Sequence, residues 1–283
     1  MTRKDHRKNL FLLVIIILLL SLNNCTSAYH LANKVQRLKK SDPINYIQIK
    51  SDTLFNSKQI INMLIVSKAA LKKFPLTIAS CNKCLMKTSL IAANNHAIAG
   101  INGGFFDEDA GGNVSYVELS DSVICRTNHS SSKWSKPDSL ANGAIIFYGT
   151  DSIKIEPAQD DQFYVNSKSE SAVLVAGPLL IKNSKPQKLP NMTFTTERHP
   201  RTCFCITDKS LLLITIDGRN EDAAGMSLFE VQKYLLDLKC TEAINLDGGG
   251  STAMWIKDKG IVNQPSDKEG ERTVSSALLI LKK

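Results

Sequence analysis

Along this chain, apolar runs of four to eight residues alternate with polar, glycine-rich turns, and only two segments read as helices. Strands are predicted at 46–49, 60–66, 97–101, within 114–125, and at 143–148, 152–155, 172–176 and 179–181. More follow at 203–207, 211–216, 243–246, 261–262 and 274–281. The run 60–66 is too apolar to have a wet face. Residues 88–96 read as a short helix. The clearer one spans 225–239, where Ser227 and Glu230 form a capping box and Leu228, Val231, Leu235 and Leu238 share a face. The pattern predicts an α+β fold: a mixed, many-stranded β-sheet core with few helices, built as one domain over 44–283.

Three of these strands end in the same way, with an amide or carboxylate followed by glycine. They deliver Asn102-Gly103-Gly104, Asp217-Gly218-Arg219 and Asp247-Gly248-Gly249-Gly250-Ser251-Thr252. Three successive glycines carry a large backbone-entropy cost, which points to a close approach by a ligand or by another backbone. Strand 211–216, helix 225–239 and strand 243–246 form a strand–helix–strand unit. If its two strands are parallel, Asp217 and Asp247 fall at equivalent ends, where α/β sheets present ligand groups. Phe105 and Phe106, directly after the first glycine pair, suit the wall of a cleft better than an exposed hairpin.

Arg201, Arg219 and Arg272 lie beside these loops or in comparable ones. A guanidinium presents a planar fork to two oxygens at once, so convergence of two of them favours a phosphate or carboxylate ligand. The glycine-rich loop lacks the lysine and the spacing of a phosphate-binding P-loop, and no Gly-x-Ser-x-Gly elbow occurs. His199, beside Pro200, suits a structural or a catalytic role equally. No set of His, Cys or Asp has zinc-ligand spacing, so chemistry without a metal or other cofactor is expected. Carboxylates acting on an acetal carbon, with arginines neutralising a phosphate, fit the inventory.

The first 43 residues change where this domain is expected to work. A basic start is followed by eleven apolar residues, 10–20, the length of a signal-peptide core rather than of a bilayer span. Cys25 follows at the position of a lipidated bacterial N-terminus, although Asn23 and Asn24 replace the usual small residues; cleavage nearby or an uncleaved anchor are the alternatives. Residues 1–24 are thus expected to be a signal peptide and 25–43 a lipid-anchored tether, exporting the domain to the cell envelope. Residues 1–24 carry four basic groups and one acidic, so the formal charge of +8 falls to +5 without them. That excess sits partly at Lys34, Arg37, Lys39 and Lys40, suited to an anionic lipid surface. No basic helix or aromatic-interleaved basic stripe suggests a nucleic acid. Six cysteines remain beyond Cys25. Their pairing is open, with Cys81 and Cys84 suited to a local disulfide or to two free thiols.

The motifs Ile101-Asn-Gly-Gly-Phe-Phe-Asp107, Arg198-His-Pro-Arg-Thr202, Asp217-Gly-Arg219, Gly225-Met-Ser-Leu-Phe-Glu230, Asn245-Leu-Asp-Gly-Gly-Gly-Ser-Thr252, Asn263-Gln-Pro-Ser-Asp267 and Glu271-Arg272 occur in order. From about Ala97 onward, and most densely after Arg198, the chain resembles the phosphodiester glycosidase family. The resemblance implies hydrolysis of a sugar-1-phosphodiester to free sugar and a phosphomonoester. On it, Asp247 is the first candidate for nucleophile or base, Asp217 its partner and Glu271 the reserve. Arg201, Arg219 and Arg272 would clamp the phosphate. Asn102, Gly103, Gly104, Thr202, Gly218, Gly248, Gly249, Ser251, Thr252 and Asn263 would bind or orient the sugar. Cys203 and Cys205 depart from the small apolar residues expected there, a change expected to alter packing only. The partner would be an exported or cell-surface glycan; a non-catalytic module binding an anionic glycan, or a phosphodiesterase cutting the P–O bond, are the rival readings.

Overall fold

The computed structural model describes residues 42–127, 140–149, 152–167 and 169–283. The signal segment 1–24, Cys25 and all but the end of the tether 25–43 lie outside them, as does most of the polar stretch 127–138.

Three antiparallel sheets share one core. The largest has seven strands in the order Ile44–Ser51, Gln59–Ser67, Ser210–Ile216, Arg201–Ile206, Glu242–Asn245, Leu179–Lys182 and Lys185–Pro186. One five-stranded sheet is centred on Ala172–Ala176, the other on Ala99–Asn102. Strand Gln59–Ser67 is buried on both faces, which is why it is apolar from Ile60 to Val66 except at Asn62. Ile61, Met63 and Ile65 point to one face of the sheet, while Leu64 and Val66 point to the other.

The second face meets both smaller sheets. Leu64, Val66, Phe204, Leu213 and Ile244 pack with Ile145 and Leu174 of one and with Ile101 and Leu278 of the other. The outer face of each sheet is closed by a helix. Leu228–Asp237 covers the large sheet with Leu228, Val231, Tyr234 and Leu235. Thr88–Asn94 covers the Ala99–Asn102 sheet through Ile91 and Ala92, and Asp161–Asn166 covers the other through Tyr164. Each buried aliphatic side chain on the large helix contributes on the order of 1.5–3 kcal/mol.

The predicted capping box is present: the Ser227 hydroxyl accepts from the Glu230 N–H, and the Glu230 carboxylate accepts from the Ser227 N–H. Cys81 pairs with Cys84, and Cys205 with Cys240. The second bond corrects the expectation that Cys205 affects packing alone. It ties a central strand to the end of the covering helix, whereas Cys203 is buried and has no disulfide partner among the described residues.

Candidate active site

Strands Ser210–Ile216 and Glu242–Asn245 are each antiparallel to Arg201–Ile206, which runs between them, so they are parallel to one another. The register sets Ile216 against Arg201 and Asn245 against Cys203. Asp217, Arg201 and Asp247 are therefore delivered to the same end of the three central strands of the large sheet. The Ala99–Asn102 sheet adds its own strand end there: Asn102 Nδ2 donates to the Asp247 carbonyl at 2.7 Å, and Asn102 Oδ1 accepts from Thr202 Oγ1 at 2.7 Å and from the Ala253 N–H at 3.1 Å.

These residues border a cleft of about 770 Å³. Its polar lining comprises Asp247, Gly248, Gly249, Gly250, Arg201, Arg219, Arg272, His199 and Thr193; its apolar lining is Phe105, Phe106, Leu140, Met192 and Phe194; Asp107, Glu108, Asp109 and Glu197 add carboxylates. The glycines are there because the space is occupied. Gly249 adopts a left-handed φ of 60° beneath the Arg219 guanidinium, and a Cβ on Gly250 would stand 2.2 Å from Asp267 Oδ1.

Asp247 is half-buried in the cleft. Burial raises its carboxyl to about 6, against the opposing pull of the Ser251 hydroxyl, Arg272 and the Gly248 N–H. An acid at that value is ionised at neutral pH and still basic enough to take part in catalysis.

Arg201 is only 1 % exposed. Its Nε donates to the Met226 carbonyl at 2.8 Å, and its Nη2 to the carbonyls of Phe194 and Glu197 at 2.8 and 2.9 Å. All of these partners are neutral, and among the described residues no carboxylate lies within ion-pair distance. Burial lowers its pKa to about 10, so it stays cationic at neutral pH. Arg219, in a left-handed conformation with φ of 62°, also lacks a carboxylate partner among the described residues; its Nη2 lies 3.3 Å from His199 Nδ1. Arg272 differs, because Asp267 and Glu108 neutralise it.

Several predicted site residues lie behind the cleft instead of in it. Asp217 is 1 % exposed and outside the lining, so it does not face Asp247 across the pocket as expected. Its carboxyl turns into a polar seam, where burial raises it to about 6 while the Gln264 N–H, Asn263 and Asn62 hold it down. Glu271 is likewise elsewhere, accepting from the N–H and hydroxyl of Ser89 at 2.7 and 2.6 Å to cap helix Thr88–Asn94. Neither is placed to act on a substrate in this cleft.

Asn102 and Thr202 staple two sheets together, and Gly103, Gly104 and Gly218 pack against backbone or side chains below the lining. Ser251 supports the Asp247 carboxyl, while Thr252 is buried behind the loop, its hydroxyl without a partner among the described residues. Asn263 accepts from the Met254 N–H at 2.7 Å and donates to the Thr252 carbonyl at 3.0 Å, fixing the chain after the glycines. The cleft instead brings in residues outside the predicted set: His199, Phe194, Met192, Glu197 and the loop 107–109. His199 carried a signal, as the histidine inside a motif. Phe194 carried none, because the segment 191–196 has neither strand nor helix periodicity.

Residues 95–281 match the family model described as phosphodiester glycosidase. Over 141 residues the chain is 30% identical to the SPbeta prophage-derived uncharacterized protein YomE of Bacillus subtilis (strain 168), covering 48% of this chain and 22% of that protein. Over 57 residues it is 40% identical to N-acetylglucosamine-1-phosphodiester alpha-N-acetylglucosaminidase of Bos taurus, covering 20% and 10% respectively. The matches thus span less than a quarter of the length of these curated relatives. Among solved structures, the catalytic domain of the zebrafish N-acetylglucosamine-1-phosphodiester alpha-N-acetylglucosaminidase, auto-inhibited by its pro-peptide, superposes with a TM-score of 0.66 at 17% identity over 87% of this chain and 85% of that one. A hypothetical protein from Synechocystis superposes with a TM-score of 0.63 at 14% identity, over 87% and 63%. At these identities the structural likeness is one of fold.

Proposed function

Since the chain belongs to the phosphodiester glycosidase family, we propose that it hydrolyses the C1–O bond of sugar-1-phosphodiesters, releasing free sugar and a phosphomonoester. The observation that carries this reading is Arg201, a buried guanidinium with neutral partners that borders the same cleft as Asp247. A buried charge without a counterion is costly, and an anionic ligand relieves that cost. Arg219 adds a second unpaired cation, and phosphate accepts both forks.

Asp247 acts at the anomeric carbon, as nucleophile or as the base that activates water. Most glycosidases need a second carboxyl to protonate the leaving oxygen. A phosphate leaves readily as an anion, so stabilising its charge replaces that demand, which agrees with Asp217 lying outside the lining. The apolar lining at Phe105, Met192 and Phe194 provides surface for the sugar or for the group beyond the phosphate.

Two disulfides support placement in an oxidising compartment, in keeping with an exported domain held at the envelope through Cys25 and acting on an exported or surface glycan. The test is incubation of the purified protein with UDP-N-acetylglucosamine and with sugar-1-(methyl phosphate) diesters in oxygen-18 water. Free sugar carrying the label is expected. Label in phosphate means P–O cleavage, and calorimetric binding without any product means a binding module; either result rejects the proposal.

A further inference from the structure

His199 lines the cleft, and one contact decides where its ring proton sits. Nδ1 lies 3.3 Å from Arg219 Nη2. A guanidinium has donors only, so Nδ1 must present its lone pair and the proton must reside on Nε2. The backbone that carries the ring is fixed, because His199 is bridged to Met226 in both directions, N–H to carbonyl at 3.3 and 3.1 Å. Among the described residues no acceptor lies within hydrogen-bond distance of Nε2; Glu197 Oε2 stands 3.7 Å off. Burial, then Arg201 and Arg219, lower the His199 pKa against a weaker opposing pull from Glu197, which keeps the ring neutral at neutral pH. His199 thus offers one committed acceptor and one uncommitted donor, in the cleft that holds two unpaired guanidiniums.

We propose that His199 is a catalytic residue: its Nε2–H donates a hydrogen bond to a phosphate oxygen of the substrate, and Arg219 holds it in the tautomer that can do so. This rests on the phosphodiester glycosidase reading. As the C1–O bond breaks, the bonding pair passes to the phosphate oxygen and the phosphate goes from one negative charge to two. A donor already in place then binds more strongly than it did in the ground state, which is the condition for accelerating the step rather than tightening binding. Water supplies the oxygen at C1. One of its protons stays on the new hydroxyl and the other leaves to solvent through Asp247, so His199 transfers no proton.

The test exploits the two ring positions. A glutamine amide nitrogen reaches near Nε2, and an asparagine amide near Nδ1. With a sugar-1-(methyl phosphate) diester, His199→Gln is expected to keep kcat within about tenfold of wild type, while His199→Asn and His199→Ala lose about a hundredfold in kcat with little change in KM, the scale of a lost oxyanion donor. Nitrogen-15 NMR of histidine-labelled full chain, assigned by comparison with His199→Gln, should show Nδ1 unprotonated and Nε2 protonated, with Arg219→Ala yielding a mixture. Wild-type turnover with equal rates for the Asn and Gln variants, or a protonated Nδ1, overturns the proposal alone. A wild type that hydrolyses no diester while showing the Nε2–H tautomer rejects the glycosidase reading and the catalytic role with it.

Discussion

At the scale of single residues, the cleft separates chemistry from support. Asp247 has a carboxyl near 6 because it is partly withdrawn from water, so the folded state holds its proton more tightly than an unfolded chain does. Its contribution to stability is therefore intact below about pH 4 and is lost as the pH rises through about 6. Asp247→Asn is expected to abolish turnover yet raise stability at pH 7.5 by about 1–3 kcal/mol. The gain should vanish at pH 4, which thermal melts at both values will show. For the wild type, kcat/KM should fall on acidification through about pH 6, as the base or nucleophile takes up its proton. The two unpaired arginines should also part company. Arg201→Lys leaves buried carbonyls unsatisfied and should lower both stability, by about 1–3 kcal/mol, and kcat/KM. Arg219→Lys, at an exposed position, should lower kcat/KM with stability unchanged within about 0.5 kcal/mol, as denaturant titration alongside kinetics will reveal.

At the scale of elements, helix Leu228–Asp237 does more than cover the sheet. Glu230 closes the capping box with Ser227 and also receives Arg198 through Nε at 3.1 Å and Nη2 at 2.5 Å. Arg198, beside His199 in the motif, is therefore a structural residue that anchors the motif to the helix N-terminus. Ser227→Ala should cost about 1 kcal/mol, the usual effect of losing such a cap. Because Met226 and His199 pair just upstream, the same substitution should reduce kcat measurably, whereas a cap distant from the cleft would not. Equilibrium unfolding and steady-state rates on one preparation compare the two effects.

At the scale of the whole molecule, three sheets meet in one core and the cleft forms where strand ends from two of them converge. The bond from Cys205 to Cys240 closes a loop across 35 residues that includes the covering helix. Replacing both cysteines with serine should cost about 2–4 kcal/mol, read from denaturation midpoints, and reductant should have the same direction of effect on the wild type.

Periodicity made the elements legible because local physics sets it. Apolar runs marked strands such as 60–66, and the spacing of Leu228, Val231 and Leu235 with the Ser227 and Glu230 pair marked the helix. Glycine after a polar residue at each strand end marked the loops that converge, since the close backbone packing there admits no side chain. What the local pattern could not carry was direction. Asp217 and Asp247 look alike in sequence, each a carboxylate before glycine at the end of an apolar run. Only tertiary packing turned one into the polar seam held by Asn62 and Asn263 and left the other at the cleft. Likewise, whether an arginine is clamp or structural brace depends on what reaches it. Arg272 met Asp267 nearby in sequence and Glu108 from a distant loop, while among the described residues Arg201 hydrogen-bonds to the carbonyls of Phe194, Glu197 and the more distant Met226; nothing in the local pattern distinguishes a carboxylate partner from a carbonyl.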